Sequence, residues 1–220
     1  MALLSIMRIS TGIEGLDHIL RGGMPAGRVY LVHGEPGTGK TTLGLHFLCA
    51  GESGLLITFA QSEEQIRADA RALNLNLERL KILDLTAPPE VFAEVQTYDI
   101  FSPAEVEREP VSQQISKAIT EFQPQRIFLD NFSHFRNLAS GSFQFHRLAQ
   151  SFFRFATKNG ATLVISAGDG QSACMVDGVI ELQFLQDERR IRVTKLRSSD
   201  FYAGSHPMRL TGDGLQVSAA

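Results

Sequence analysis

The stretch Gly34-Glu35-Pro36-Gly37-Thr38-Gly39-Lys40-Thr41-Thr42 constrains this chain more than any other. It matches the phosphate-loop pattern G-x-x-x-x-G-K-[ST] at every fixed position. Arg28 to His33 precedes it, an apolar and partly β-branched run that predicts a buried strand. Leu43 to Ala50 follows, with the apolar content of a buried helix. Strand, glycine loop and helix together are the context in which the pattern becomes a site. The backbone N–H groups at a helix start point at an anion, and the helix dipole favours negative charge there. Gly34, Gly37 and Gly39 let the loop curl around phosphates without a Cβ in the way. Lys40 supplies a compact positive charge for the β- and γ-phosphates. The Thr41 hydroxyl is the expected Mg²⁺ ligand, and Thr42 is read as a capping or packing residue.

Composition narrows the function classes. The 220 residues are 43% hydrophobic and 20% charged with a formal net charge of −3, a balance that argues against a whole-surface nucleic-acid binder. Cys49 and Cys174 are the only cysteines, which supports neither a disulfide framework nor a metal cluster. No apolar run approaches membrane-spanning length and the N-terminus lacks a basic-then-apolar signal, so a cytoplasmic location is expected. One domain covering residues 1–220 is expected, since neither an internal repeat nor a linker stands out.

The remaining elements follow in order. Gly15 to Leu20 predicts a short helix ended by Gly22-Gly23, and Leu55 to Ala60 a second apolar strand. Ser62-Glu63-Glu64-Gln65 has the form of a capping box opening a helix that continues to Leu73. Lys81 to Leu85 is a strand. Residues 86–112, punctuated by Pro88, Pro89, Pro103 and Pro110, read as a surface excursion. Val111 to Phe122 is an amphipathic helix candidate. In Arg126-Ile127-Phe128-Leu129-Asp130-Asn131 an apolar strand ends on a carboxylate, so Asp130 is the expected metal-side acid, with Asn131 and Ser133 as candidates for orienting nucleotide. Phe143 to Lys158 is a helix whose phenylalanines suit a core or a subunit contact. Ala161 to Ala167 is a strand. Val179–Phe184 and Ile191–Lys195 form an expected antiparallel pair turning through residues 186–189, and Pro207–Leu210 with Leu215–Val217 a second pair. The expected fold class is α/β: a mainly parallel central sheet flanked by helices, with antiparallel strands at the C-terminal end.

The lead-in Ser10-Thr11-Gly12-Ile13-Glu14-Gly15-Leu16-Asp17-His18-Ile19-Leu20-Arg21-Gly22-Gly23-Met24-Pro25-Ala26-Gly27 resembles the entry segment of KaiC-like ATPases in the RecA superfamily, and Lys195-Leu196-Arg197-Ser198-Ser199 resembles their K-L-R-[GS]-[ST] element. The resemblance implies a RecA-like P-loop NTPase fold, ATP with Mg²⁺ as ligand, and a ring-shaped homo-oligomer, a hexamer, with nucleotide between subunits. Carried over, Lys195 and Arg197 become fingers that reach the γ-phosphate held by the next subunit. Leu210, Thr211 and Gly212 match the segment bordering the adenine. A departure lies after the second strand, where the family places two glutamates and this chain has Ala60 and Gln61. Gln61 can orient a water but cannot take its proton, so slow hydrolysis is expected. Where clock-related members of this family carry an adjacent Ser-Thr phosphorylation pair in a second domain, this chain has Ala173 and Cys174, so autophosphorylation of that kind is not expected. The implied role is a signalling, clock-related or assembly switch with a protein partner left open. The alternatives are a RecA-like mediator binding single-stranded DNA, disfavoured by the few cations after Asn131 and Gly168, and a nucleotide switch without turnover.

Overall fold

The computed structural model describes residues 7–87 and 103–218, with 103–110 described by backbone alone. A two-residue strand β1 (Arg8–Ile9) pairs antiparallel with β2 (Met24–Pro25), and helix α1 (Glu14–Ile19) lies between them. This small clasp was not anticipated, because two-residue strands carry no periodic signal. The main sheet then begins with β3 (Val29–Gly34), followed by α2 (Lys40–Cys49), β4 (Gly54–Thr58), α3 (Glu63–Ala72) and β5 (Leu80–Asp84). Helix α4 (Pro103–Phe122), β6 (Arg126–Asp130), the single turn α5 (Phe132–Phe135), α6 (Ser142–Lys158) and β7 (Thr162–Ala167) come next. The chain ends in β8 (Gly178–Leu185), β9 (Glu188–Leu196), β10 (His206–Thr211) and β11 (Gly214–Val217).

Among the described residues the main sheet has nine strands in the order β11-β10-β9-β8-β3-β7-β6-β4-β5. The six strands from β8 to β5 are mutually parallel, and β9, β10 and β11 add on antiparallel. The alternation of each strand divides the core. Tyr30, Val32, Leu56, Phe128 and Val164 face α1, α2 and α3. Leu31, Leu55, Ile57, Leu129 and Ile165 face α4, α5 and α6. Both faces are covered, which is why the parallel strands read as unbroken apolar runs. The C-terminal ends of β3, β4, β6 and β7 form one edge, the position at which open α/β sheets bind ligands.

Several local readings resolve. The capping box forms: the Gln65 N–H donates to Ser62 Oγ and the Ser62 N–H to Gln65 Oε1. The β8–β9 turn is tighter than expected, because Gln186 and Asp187 both take positive φ and the strands run on to Leu185 and Glu188. The surface excursion is corrected in its second half, where residues 103–112 belong to α4. Its first half, residues 88–102, lies outside the described residues. Phe145, Phe152 and Phe153 of α6 are core, whereas Phe143 is exposed.

Helix α2 comes so close to β6 that a Cβ on Gly44 would stand 2.2 Å from the Phe128 ring. Gly44→Ala gains helix propensity of about 1 kcal/mol but must displace that ring. The expected net result is a loss of roughly 1–3 kcal/mol in chemical denaturation, relieved when Phe128→Leu is added.

Candidate nucleotide site

The loop after β3 is shaped by what surrounds it. Gly34 has φ +153° and a Cβ there would lie 2.0 Å from the Leu182 carbonyl oxygen of β8, so no side chain fits. Glu35, Pro36 and Gly37 are exposed, while Thr38 is buried and its hydroxyl donates to the Glu35 carbonyl at 2.8 Å. Gly39 is the N-cap of α2 in a left-handed conformation, φ 107°. The loop thus arrives at α2 with the helix N-terminus open toward the sheet edge. Lys40 Nζ folds back to donate to the carbonyls of Gly34 at 2.7 Å and Glu35 at 2.9 Å. Burial lowers the Lys40 pKa and the nearby Asp130 partly offsets this. From the β8–β9 hairpin, Arg189 donates to the Gly37 carbonyl at 3.3 Å.

Asp130 ends the fully buried strand β6 and is itself 8% exposed. Its Oδ2 accepts from the Thr41 hydroxyl at 2.6 Å and its Oδ1 from the Ser166 hydroxyl at 2.5 Å. The two neutral hydroxyls serve the lone pairs of this buried carboxylate, and the nearby Lys40 ammonium supplies positive charge. Among the described residues no group of three or more His, Cys, Asp or Glu is placed to hold a metal. Thr41 and Asp130 nonetheless fit Mg²⁺, a hard cation that uses one or two protein oxygens and fills its octahedron with waters and phosphate oxygens.

Ser166 escaped the sequence reading. Its signal is faint: one hydroxyl one residue from the end of the otherwise apolar Leu163-Val164-Ile165-Ser166-Ala167. Thr58 escaped as well. It stands opposite Asp130 in the β4–β6 register, and its hydroxyl donates to the Gln61 carbonyl at 2.9 Å and accepts from the Gln61 N–H at 3.2 Å. That turn fixes the backbone of Ala60 and Gln61 at the same sheet edge. The Gln61 side chain leans toward α3, its amide donating to Asp69 at 3.1 Å. Asn131 Oδ1 caps α5 through the Ser133 N–H at 2.9 Å, which gives both residues a local structural task.

Leu210, Thr211 and Gly212 lie at the β10–β11 turn. Leu210 is exposed, Thr211 Oγ1 donates to the Gly214 carbonyl at 3.2 Å, and the Gly212 carbonyl accepts from Asn74. The hairpin abuts α2: a Cβ on Gly39 would lie 3.3 Å from Leu215, and His46 Nε2 accepts the Leu215 N–H at 2.9 Å.

Lys195 and Arg197 are placed elsewhere. The β8–β9 pairing sets Lys195 opposite Val179 and Leu196 opposite Gly178, and Gly178 pairs with Tyr30 near the start of β3. Both cations therefore sit at the sheet edge remote from the phosphate loop. Lys195 Nζ donates to the Ala173 and Val176 carbonyls at 2.7 Å each, and Arg197 is 3.7 Å from Asp177.

A parallel sheet of this order, a phosphate loop after its central strand and a carboxylate two strands away define a RecA-like ATPase fold. The chain belongs to the KaiC ATPase family, whose model matches residues 9–220. It is 31% identical over 240 residues to the circadian clock oscillator protein KaiC of Nostoc sp. (strain PCC 7120), covering 96% of this chain and 44% of that protein. It is 30% identical to the circadian clock protein KaiC2 of Synechocystis sp. (strain PCC 6803), covering 97% and 40%, and 30% identical to KaiC of Synechococcus elongatus, covering 97% and 44%. The chain thus spans less than half the length of these relatives.

The contact of His46 with β11 makes the hairpin sensitive to acid. Burial pushes the His46 pKa below its ordinary 6.5, with a hydrogen bond to the Gly12 backbone as partial offset. Below pH 6.5 the unfolded chain takes up this proton first, so stability falls with pH until the folded state is protonated too. Denaturation midpoints measured from pH 7.5 down to about 5 are expected to fall less steeply in His46→Gln than in the wild type.

Proposed function

We propose that this chain binds ATP·Mg²⁺ at the phosphate loop, hydrolyses it slowly, and assembles into a ring of copies, a hexamer, with nucleotide between subunits. It would serve as a signalling or assembly switch, the kind of role that its relatives' names as circadian clock proteins suggest. The observation that carries the reading is the convergence of Lys40, Thr41 and the buried Asp130 at the start of α2.

The chemistry follows from the groups present. The Lys40 ammonium exchanges two backbone carbonyls for phosphate oxygens, a stronger, charge-assisted pairing. Thr41 and Asp130 would hold a Mg²⁺, which would neutralise charge on the phosphate oxygens. Gln61 can hold a water by hydrogen bonding but cannot accept its proton, and its amide is engaged by Asp69. Lys195 and Arg197 lie at the opposite edge of the sheet from their own phosphate loop, which suits action on a neighbour's phosphates. Leu210, Thr211 and Gly212 border the base in this reading, held near α2 by the β11 contacts. The segments after Asn131 and Gly168 carry few cations, which supports a protein-and-nucleotide role over a nucleic-acid one.

Calorimetry is expected to show ATP·Mg²⁺ uptake that weakens about 10- to 100-fold in Lys40→Ala, the worth of a charge-assisted hydrogen bond. No uptake by the folded wild type contradicts the reading. Light scattering is expected to show a larger particle with ATP·Mg²⁺ than without. In Gln61→Glu the new carboxylate is repelled by Asp69 and freed toward the site, so phosphate release is expected to rise by about 10-fold or more. An unchanged rate contradicts the assignment of slow turnover to that position.

A further inference from the structure

Asp177, the residue before β8, joins the finger segment to the phosphate-loop strand. Its Oδ2 accepts the Val29 N–H of β3 at 3.1 Å. Its Oδ1 lies 3.4 Å from the Arg28 guanidinium and 3.7 Å from that of Arg197. The backbone repeats the connection, with the Asp177 N–H donating to the Val29 carbonyl and the Arg197 N–H to the Asp177 carbonyl, both at 2.8 Å. One residue therefore spans the start of β3 and the end of β9.

We propose that Asp177 is the positioning residue for Arg197, setting the direction in which its guanidinium leaves the subunit toward the γ-phosphate of an adjoining copy. The inference rests on the reading that Lys195 and Arg197 act between subunits. Half of the Arg197 side chain is exposed, at 53%, against 21% for Asp177. Unguided, a side chain with that exposure samples many rotamers and loses that freedom on meeting a phosphate. A cavity of about 400 Å³ bordered by Arg28, Asp177 and Arg197 gives it room to do so. The carboxylate biases the guanidinium from one side and leaves other N–H donors of the five for the phosphate. The contact is long and half in water, so it adds little to fold stability and can be loosened on docking. Its second oxygen is spent on a β3 amide, which refers the arginine to a rigid strand rather than to a loop.

The test is the preference for a γ-phosphate, read by calorimetry on the full chain at concentrations where ATP·Mg²⁺ assembles it. The readout is the ratio of the dissociation constant for ADP to that for a non-hydrolysable ATP analogue. Arg197→Ala is expected to lower the ratio about 10-fold and Asp177→Asn about 3- to 10-fold, while Asp177→Asn leaves ADP affinity and thermal midpoint near wild type. In an Arg197→Ala background, adding Asp177→Asn is expected to change the ratio less than about 2-fold. A purely structural Asp177 would lower ADP affinity or the thermal midpoint and leave the ratio alone, and that result overturns the proposal. So does an undiminished Asp177→Asn effect in the Arg197→Ala background. Should Asp177→Asn not fold, Asp177→Glu carries the same cycle, with a shift of the ratio of at least about 2-fold that disappears when Arg197 is Ala. If Arg197→Ala alone leaves the ratio unchanged, the reading of fingers acting between subunits fails. If only Asp177→Asn leaves it unchanged, that reading stands and the role of Asp177 falls.

Discussion

The Asp130 carboxylate is the point on which the site depends. It is nearly out of water, and its two oxygens are divided between Thr41 of α2 and Ser166 of β7. Removing an anion from water is costly, and here two hydroxyl donors and the nearby Lys40 ammonium offset that cost. A second cation held by Thr41 and Asp130 would add to that compensation. The site lies where β6 ends, beneath the helix whose first residue, Lys40, is itself partly desolvated. The packing of Gly44 against Phe128 brings α2 onto β6 closely enough for the threonine and the carboxylate to meet.

The same sheet separates the phosphate loop from Lys195 and Arg197, which bears on the proposed shared site. Parallel strands collect their C-terminal ends, and with them the phosphate loop and Asp130, at one edge. The antiparallel strand β9 runs back and delivers Lys195 and Arg197 to the other. In the proposed assembly, this opposition of the loop and the two cations would let copies join head to tail and close into a ring when the rotation permits. Asp177 links Arg197 to β3, the strand that carries the phosphate loop.

Much of this was legible in the sequence, for reasons that differ by residue. The placement of the loop between β3 and α2 and of Asp130 at the end of β6 was readable because each follows an apolar run with a fixed residue type. The capping box at Ser62 and Gln65 was readable because its chemistry is local. Ser166 and Thr58 were not, because a lone hydroxyl in a strand has no signature until sheet order puts β7 and β4 on either side of β6. Strand order also hid Asp177, whose partners Val29 and Arg197 are distant in sequence and meet only through the pairing of β3, β8 and β9. The start of α4 was missed because Pro103 and Pro110 read as breaks, although Pro103 opens the helix, where a missing N–H costs no hydrogen bond.

A structure of the assembled protein with Mg²⁺ and a non-hydrolysable ATP analogue tests the central claim most directly. The account predicts that Lys40 has left the Gly34 and Glu35 carbonyls for the phosphates, that a metal lies between Thr41 and Asp130, and that Arg197 of an adjacent copy faces the γ-phosphate. Nucleotide bound away from the loop, with Lys40 still on those carbonyls and Thr41 still on Asp130, would contradict it.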